Sequence, residues 1–225
     1  VGVDNSVYLS SYGHVDRFVY NEQMTFDPLP PGWQDLPARD RLLHTAHALF
    51  YRDGIRATGI DRVIAESGVT KVTFYRHFPS KNDLICAYLE YRHTGWMAWF
   101  GDALHRHAHG LPASADRTRA LAPALAEWLG SEHFRGCAFI NSVSELGDTV
   151  PEVLEIAQRH KRDMTALLAG LLPVSAHRAQ DAQALTLVVE GAIVRVQMGE
   201  PVAEVVAAVS RLTDGLVAAP LQRKR

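Results

Sequence analysis

The chain has 225 residues, enough for one large or two small domains with a real core. Its formal charge of −2 carries no global cationic signal for nucleic acid, and its two cysteines, Cys86 and Cys137, make no disulfide framework. No apolar run reaches the roughly 18 residues of a membrane span, the N-terminus lacks a basic stretch followed by an apolar run, and free thiols suit a reducing, cytoplasmic compartment.

Residues 1–36 differ from the rest. They hold Arg17 against Asp4, Asp16, Glu22, Asp27 and Asp35, and Pro28, Pro30, Pro31 and Pro37 forbid a continuous helix. This stretch reads as a flexible acidic leader. A minor-groove arm would rely on Arg and Lys, which this stretch has only once. The chain begins with Val1 and the first methionine is Met24. Residues before Met24 therefore fit either an extension upstream of the natural start or an arm docked through Tyr8, Tyr12 and Phe18. Removing residues 1–23 is expected to be tolerated, because termini accept change unless burial ties them down.

A first helix is expected from Arg39 to Asp53, with Leu42, Leu43, Ala46, Leu49 and Phe50 on one side and Gly54 as its stop. His44 and His47 on it read as packing or surface residues. Two short helices follow between Thr58 and Lys81. Thr58 and Asp61 have the spacing of a helix start, Ile60, Val63 and Ile64 make an apolar stripe, and Gly68 stops the helix in a left-handed conformation. Thr70 caps the next helix, which starts at Lys71. Phe74 and Phe78, four apart, share its buried face, leaving Lys71, Val72, Thr73, Tyr75, Arg76 and His77 to look outward. Such a helix suits a DNA major groove; a plain helical hairpin with a solvated face is the alternative. From Pro37 to Lys81 eight cations (Arg39, Arg41, Arg52, Arg56, Arg62, Lys71, Arg76, Lys81) face four carboxylates (Asp40, Asp53, Asp61, Glu66). A local surplus of this kind is the footprint of phosphate binding.

The run G-V-T-K-V-T-F-Y-R-H-F-P-S-K-N-D-L, Gly68 to Leu84, resembles the DNA-binding signature of the tetracycline-repressor (TetR) family of transcriptional regulators. The likeness extends from about Arg39 to Leu89. Val72 departs from it, standing where the family often has a small residue or proline.

Ser80 repeats the cap pattern and opens a long helix carrying Leu84, Ile85, Tyr88, Leu89, Tyr91, Trp96, Trp99, Phe100 and Leu104. It joins the head to everything after it and is the natural lever. Gly95 within it costs about 1 kcal/mol relative to Ala and is read as a bend. A helical segment is expected from Ala115 to Leu129 with Pro123 as a kink or break, then a loop from Ser131 to Gly136 and a short helix from Cys137 to Leu146. Pro151 opens another helix to about Leu172, with Leu154, Ala157, Lys161, Met164, Leu168 and Leu171 as one stripe. In the last two helices apolar residues run almost all round, so cover is needed on more than one side. Leu185, Val189, Ile193, Val196, Val205, Val209 and Leu212 are the expected dimer interface, since two-fold dimers are the commonest oligomers; a helix central to its own bundle is the alternative.

Trp96, Trp99, Phe100, Trp128, Phe134 and Phe139 are either core or the wall of a pocket, with Asn141 and Glu145, one turn apart, as polar contacts. Of His105, His107 and His109 only the first and last stack on a helix, with no carboxylate or thiol at ligand spacing. No nucleophile elbow or phosphate-binding glycine loop is present. Neither catalysis, a metal nor a cofactor is expected.

The resemblance implies an all-α homodimer with a helix-turn-helix DNA-binding domain over residues 37–83 and a ligand-binding and dimerisation bundle over 84–225. It implies a double-stranded, palindromic operator as partner and a small-molecule inducer held among the middle helices: Trp96, Trp99, Phe100, Trp128, Phe139, Asn141 and Glu145. By the same resemblance Tyr75 and Lys81 contact phosphates, Lys71, Thr73 and His77 lie nearest the bases, Thr70 belongs to the same surface, and Thr58 anchors the backbone. Repression relieved by the inducer is the implied outcome. A ligand-free DNA-binding dimer, which a solid core would favour, and a His105/His109 metal sensor are the rivals.

Overall fold

The computed structural model describes Leu29, residues 32–112 and residues 116–218, with side chains given as far as residue 215. The expectations for Tyr8, Tyr12, Phe18 and the removal of residues 1–23 lie outside the described residues. Among those described, every regular element is helical. The helices are α1 (Ala38–Asp53), α2 (Ile60–Ser67), α3 (Lys71–His77), α4 (Lys81–His109), α5 (Leu121–Leu129), α6 (Ala138–Leu146), α7 (Pro151–Ala169), α8 (Arg178–Gln197) and α9 (Val202–Ala218).

Helices α1 to α3 pack on one another and α1 packs on α4, so the head is built around the first half of the long helix. Leu42, Ala46, Leu49 and Phe50 of α1 meet Val63, Phe74, Phe78, Leu84 and Tyr88 in its core. Gly68 takes φ 63°, and the amides of Gly68 and Val69 close back on the carbonyls of Ala65 and Ile64 at 3.3 and 3.4 Å. That pair of bonds satisfies the last turn of α2 and needs a left-handed residue. Thr70 and Ser80 cap α3 and α4, their hydroxyls accepting from the amides of Thr73 and Asp83 at 3.3 and 3.2 Å.

Thr58 departs from expectation. No side chain caps α2, which starts after Gly59. Thr58 is fully buried, and its hydroxyl donates to the Gly54 carbonyl at 2.8 Å. The end of α1 leaves carbonyls without helical partners, and that nearby demand captures the hydroxyl. Thr58 therefore fastens the α1–α2 turn and offers no group to a ligand.

In the body α4 packs on α7, α7 on α6 and α8, and α9 on α5 and α8. Helix α4 runs unbroken through Gly95, which is buried, so a division at residues 83 and 84 would cut a continuous helix. Pro123 is the third residue of α5, where no helical amide is lost, and the helix is preceded by a 3-10 turn over Arg117–Ala120. Along α7 the inward face is Val153, Ile156, Ala157, His160, Met164 and Leu168, while Leu154 is exposed. The expected stripe is thus turned by one residue at its start.

Much of the expected dimer interface is core. Leu185, Val189, Ile193, Val205 and Val209 are buried within the protomer, covered by the neighbouring helices. Val196 is half-buried. Exposed on α8 and at its C-terminal cap are Leu187 (69%), Gly191, Val194 (41%) and Met198 (79%), and on α9 Leu212 (55%). Positions 187, 191, 194 and 198 lie on one helical stripe.

His93 and His160 pair inside the body, Nδ1 to Nδ1 at 3.2 Å, with His160 stacked on Phe139 and His93 Nε2 3.5 Å from Asp163. Burial first, then the neighbouring Arg159 for His93 and Lys161 for His160, holds both below the ordinary imidazole value of 6.5. Burial lowers His44 too. Below pH 6.5 the unfolded chain takes up protons that the folded chain refuses, so stability is present above that pH and is lost as pH falls. The lowered carboxylates, Asp53 and Glu127, start from 3.8 and 4.5 and act further down. Urea midpoints at pH 7.5, 6.5 and 5.5 are expected to fall across the series, with a shallower fall in His160→Gln. A flat series would contradict the buried neutral pair.

Candidate nucleic-acid interface

Helix α3 is held by one fully buried ring. Phe74 has no exposed surface and packs edge-on to Tyr75 (5.1 Å between centroids) and beside Phe78 (6.2 Å). Around it Lys71, Val72, Tyr75, Arg76 and His77 are exposed, and Thr73 is half-buried with its hydroxyl 2.9 Å from that of Thr70. Lys71 Nζ lies 3.3 Å from Asp61 in a pair exposed on both sides, a weak tie that a phosphate can replace. Arg62 of α2 bridges Asp53 at the end of α1 and Glu66 of its own helix.

Lys81, which by the resemblance contacts a phosphate, also has a partner within the chain. Its ammonium donates to the Ile55 carbonyl at 2.6 Å and sits 5.9 Å from the centre of the Phe50 ring. Burial lowers its pKa, partly offset by Glu145. The half-buried amine thus holds the turn after α1.

Glu145 completes this arrangement from the body. Its two carboxylate oxygens accept from the backbone amides of Ile55 (3.2 Å) and Arg56 (2.7 Å). A second tie runs beside it: the Tyr51 hydroxyl donates to the Gly136 carbonyl at 2.9 Å and accepts from the Arg135 amide at 3.0 Å. Asn141 holds the Arg135 carbonyl and accepts from Gln197. Between head and body lies an open cleft of about 440 Å³, lined by Tyr51, Arg52, Asp53, Arg135, Ser144 and Glu145 among others.

The expected aromatic pocket is solid instead. Trp96, Phe100, Trp128 and Phe139 are buried and Trp99 half-buried, with ring centroids 4.5 Å apart for Trp96 and Phe100 and 5.4 Å for Trp96 and Trp128. The space left there, about 10 Å³, is the room of one water. The indole nitrogens of Trp96 and Trp128 are buried without a hydrogen-bond partner. So the predicted ligand residues divide: the aromatics make core, while Asn141 and Glu145 line the junction. Tyr51, Arg135 and the buried Arg92, whose guanidinium stacks 3.9 Å over the Tyr51 ring, were not singled out in sequence. The histidine cluster near the end of α4 resolves into His107 on Glu127 at 2.6 Å and His105 beside His109. Among the described residues no group of three or more metal-ligating side chains could hold an ion, and no described helix is long and apolar enough to cross a membrane.

A short helix fixed by one buried ring, its free side exposed and its frame a three-helix head on a helical body, defines a helix-turn-helix regulator. The model of the family described as "Bacterial regulatory proteins, tetR family" matches residues 42–88. The crystal structure of SCO4454, a TetR-family transcriptional regulator from Streptomyces coelicolor, is 31% identical, with TM-score 0.69 over 80% of this chain and 94% of that one. A putative TetR transcriptional regulator (sav143) from Streptomyces avermitilis is 27% identical, with TM-score 0.65 over 81% and 99%. The HTH-type transcriptional regulators YxaF and YerO of Bacillus subtilis (strain 168) are 42% and 38% identical over 43 and 53 residues, which cover 19% and 24% of this chain. Those stretches span 22% and 18% of the two relatives, about a fifth of their length. The chain belongs to the TetR family of transcriptional regulators.

Proposed function

We propose that this chain is a cytoplasmic repressor that binds a palindromic operator as a homodimer and leaves it when a small molecule binds. The observation that carries the DNA-binding half is the outward side of α3, where Lys71, Val72, Thr73, Tyr75, Arg76 and His77 surround a wholly buried Phe74. In this reading Tyr75 meets a phosphate, and Lys71, which the resemblance places near the bases, is assigned to a phosphate instead because its exposed pair with Asp61 is a weak tie. Thr73 and His77 reach base edges, and the Val72 side chain meets a thymine methyl. Thr70 caps the helix from its phosphate-facing end.

The exposed stripe of Leu187, Gly191, Val194 and Met198, together with the exposed Leu212 of α9, supports a second copy as partner. Two heads then sit one turn of DNA apart, about 34–36 Å. The small-molecule half rests on the cleft at the junction, whose about 440 Å³ falls in the range of ligand sites, roughly 300–1,000 Å³. The solid aromatic core favours a second reading, a dimer that binds DNA with no effector.

Selection from a random duplex pool with the full chain tests the first reading, and enrichment of a two-fold symmetric site is the expected result. On that site Lys71→Ala should weaken binding to all sequences and lower the salt slope by about 1. Thr73→Ala should change the preferred bases, at a cost of about 1–3 kcal/mol for the original site. Failure to enrich any sequence would overturn the reading.

A further inference from the structure

The junction cleft is furnished for a carboxylate, and the chain fills that place with one of its own. Glu145 spans the two successive amides of Ile55 and Arg56, one oxygen on each, at 3.2 and 2.7 Å. Consecutive backbone amides of this sort form concavities that bind anions. Space at that point is tight: a Cβ on Gly54 would stand 3.4 Å from a Glu145 oxygen.

The charges around the cleft favour a second anion. Asp53 is taken by Arg52 and Arg62 at 2.8 and 2.9 Å. That leaves Arg135 in the cleft with Glu145. Arg135 lines the cleft, and its side chain is engaged only through Nη1, on the carbonyls of Glu132 and Phe134. Its Nε and Nη2 have no protein partner among the described residues. Tyr51 supplies an aromatic wall, backed by the buried Arg92. Ser144 lines the cleft as well.

We propose that this cleft is the effector site, and that its ligand is a small organic acid. The acid's carboxylate takes the place of Glu145 on the Ile55 and Arg56 amides and pairs with Arg135, and its apolar body lies along Tyr51 and Phe50. The inference rests on the reading of the chain as an effector-controlled operator-binding protein. It adds a mechanism to that reading. Glu145 is a direct polar link from α6 to the head, so the acid and the link compete for the same two amides. The acid therefore binds better to the state in which the head has let go. An effector acts only through such a difference, and by reciprocity the bound acid weakens the hold on the operator.

Sodium benzoate is the probe, with benzyl alcohol as its uncharged counterpart. Binding is measured by calorimetry on the full chain, at constant ionic strength, for the wild type, Glu145→Ala, Glu145→Gln and Arg135→Ala. Without its competitor, Glu145→Ala should bind benzoate about tenfold more tightly than the wild type, and Arg135→Ala about tenfold more weakly. Benzyl alcohol should bind neither the wild type nor Glu145→Ala measurably. Benzoate should also lower the wild type's affinity for its selected operator relative to chloride. Should Glu145→Ala fail to fold by circular dichroism, the near-isosteric Glu145→Gln carries the same expected tightening. Equal benzoate binding in the wild type and both Glu145 variants, or in the wild type and Arg135→Ala, would overturn the site. Benzoate that binds in the expected order yet leaves operator affinity unchanged would overturn the effector role. If no operator is enriched at all, the regulatory reading fails, while the calorimetric order still judges the site.

Discussion

Val194→Glu is expected to leave a folded monomer whose operator affinity is lower by about a hundred- to ten-thousandfold, the avidity lost when two linked half-sites become one. Val194 is 41% exposed on α8, on the stripe that also carries Leu187, Gly191 and Met198. Each large apolar side chain on such a stripe gains about 1.5–3 kcal/mol when a second copy covers it fully. A glutamate there meets water in the monomer at little cost, but in the dimer it must shed its hydration against apolar neighbours without a partner. The equilibrium therefore moves to the monomer while the fold survives. Val189→Glu is the informative contrast. Val189 is wholly buried inside the protomer, so its replacement should lower the melting temperature sharply whatever the oligomeric state. Sedimentation velocity and thermal melts of both variants separate the two effects. A Val194→Glu chain that sediments as a dimer would refute the proposed interface, and so would one that unfolds as readily as Val189→Glu.

Where the chain's signals are local, sequence and structure agree. Gly68, Thr70 and Ser80 act on amides and carbonyls within five residues, so the stop of α2 and the starts of α3 and α4 were readable from composition and spacing alone. Phe74 and Phe78 were readable because two large rings four apart have one place to go. Where the partner is distant, the sequence does not display it. Glu145 meets amides 90 and 89 residues upstream, and Lys81 meets a carbonyl 26 upstream. Nothing near either residue announces that its charge is already committed. On α8 the difficulty is different: valine and leucine occupy both faces, and only the neighbours that cover Val189 and not Val194 decide which face is core. On α7 the expected stripe shares Ala157, Met164 and Leu168 with the buried face but takes Leu154 and Lys161 where Val153 and His160 are buried, each one residue or about 100° away, and so hides the burial of His160. Counting aromatics found the cluster at Trp96 and Trp128 but not its density, because packing depends on side-chain angles that a sequence does not display.

The largest single loss is expected from Phe74→Ala. This ring has no exposed surface and joins the head core with Leu42, Leu49, Val63, Phe78 and Leu84. Truncating a buried phenylalanine costs about 3–5 kcal/mol, through lost transfer energy and the cavity left behind. A whole domain is typically stable by only about 5–15 kcal/mol, and the three short helices of the head share a small core. The variant should therefore lose α2 and α3 first and bind no operator at a detectable level. The packing of α7 on α8 lies far along the chain and should persist. Tyr75→Ala, one residue away, provides the control: Tyr75 is 44% exposed, so its loss should weaken DNA binding with little change in melting. Hydrogen exchange resolved by peptide reads both predictions at once. Phe74→Ala should unprotect the amides of α2 and α3 while those of α7 and α8 stay slow, and Tyr75→Ala should leave every helix as protected as in the wild type. If α2 and α3 kept wild-type protection in Phe74→Ala, the head would not depend on this ring, and the placing of α3 by a single buried aromatic would be wrong.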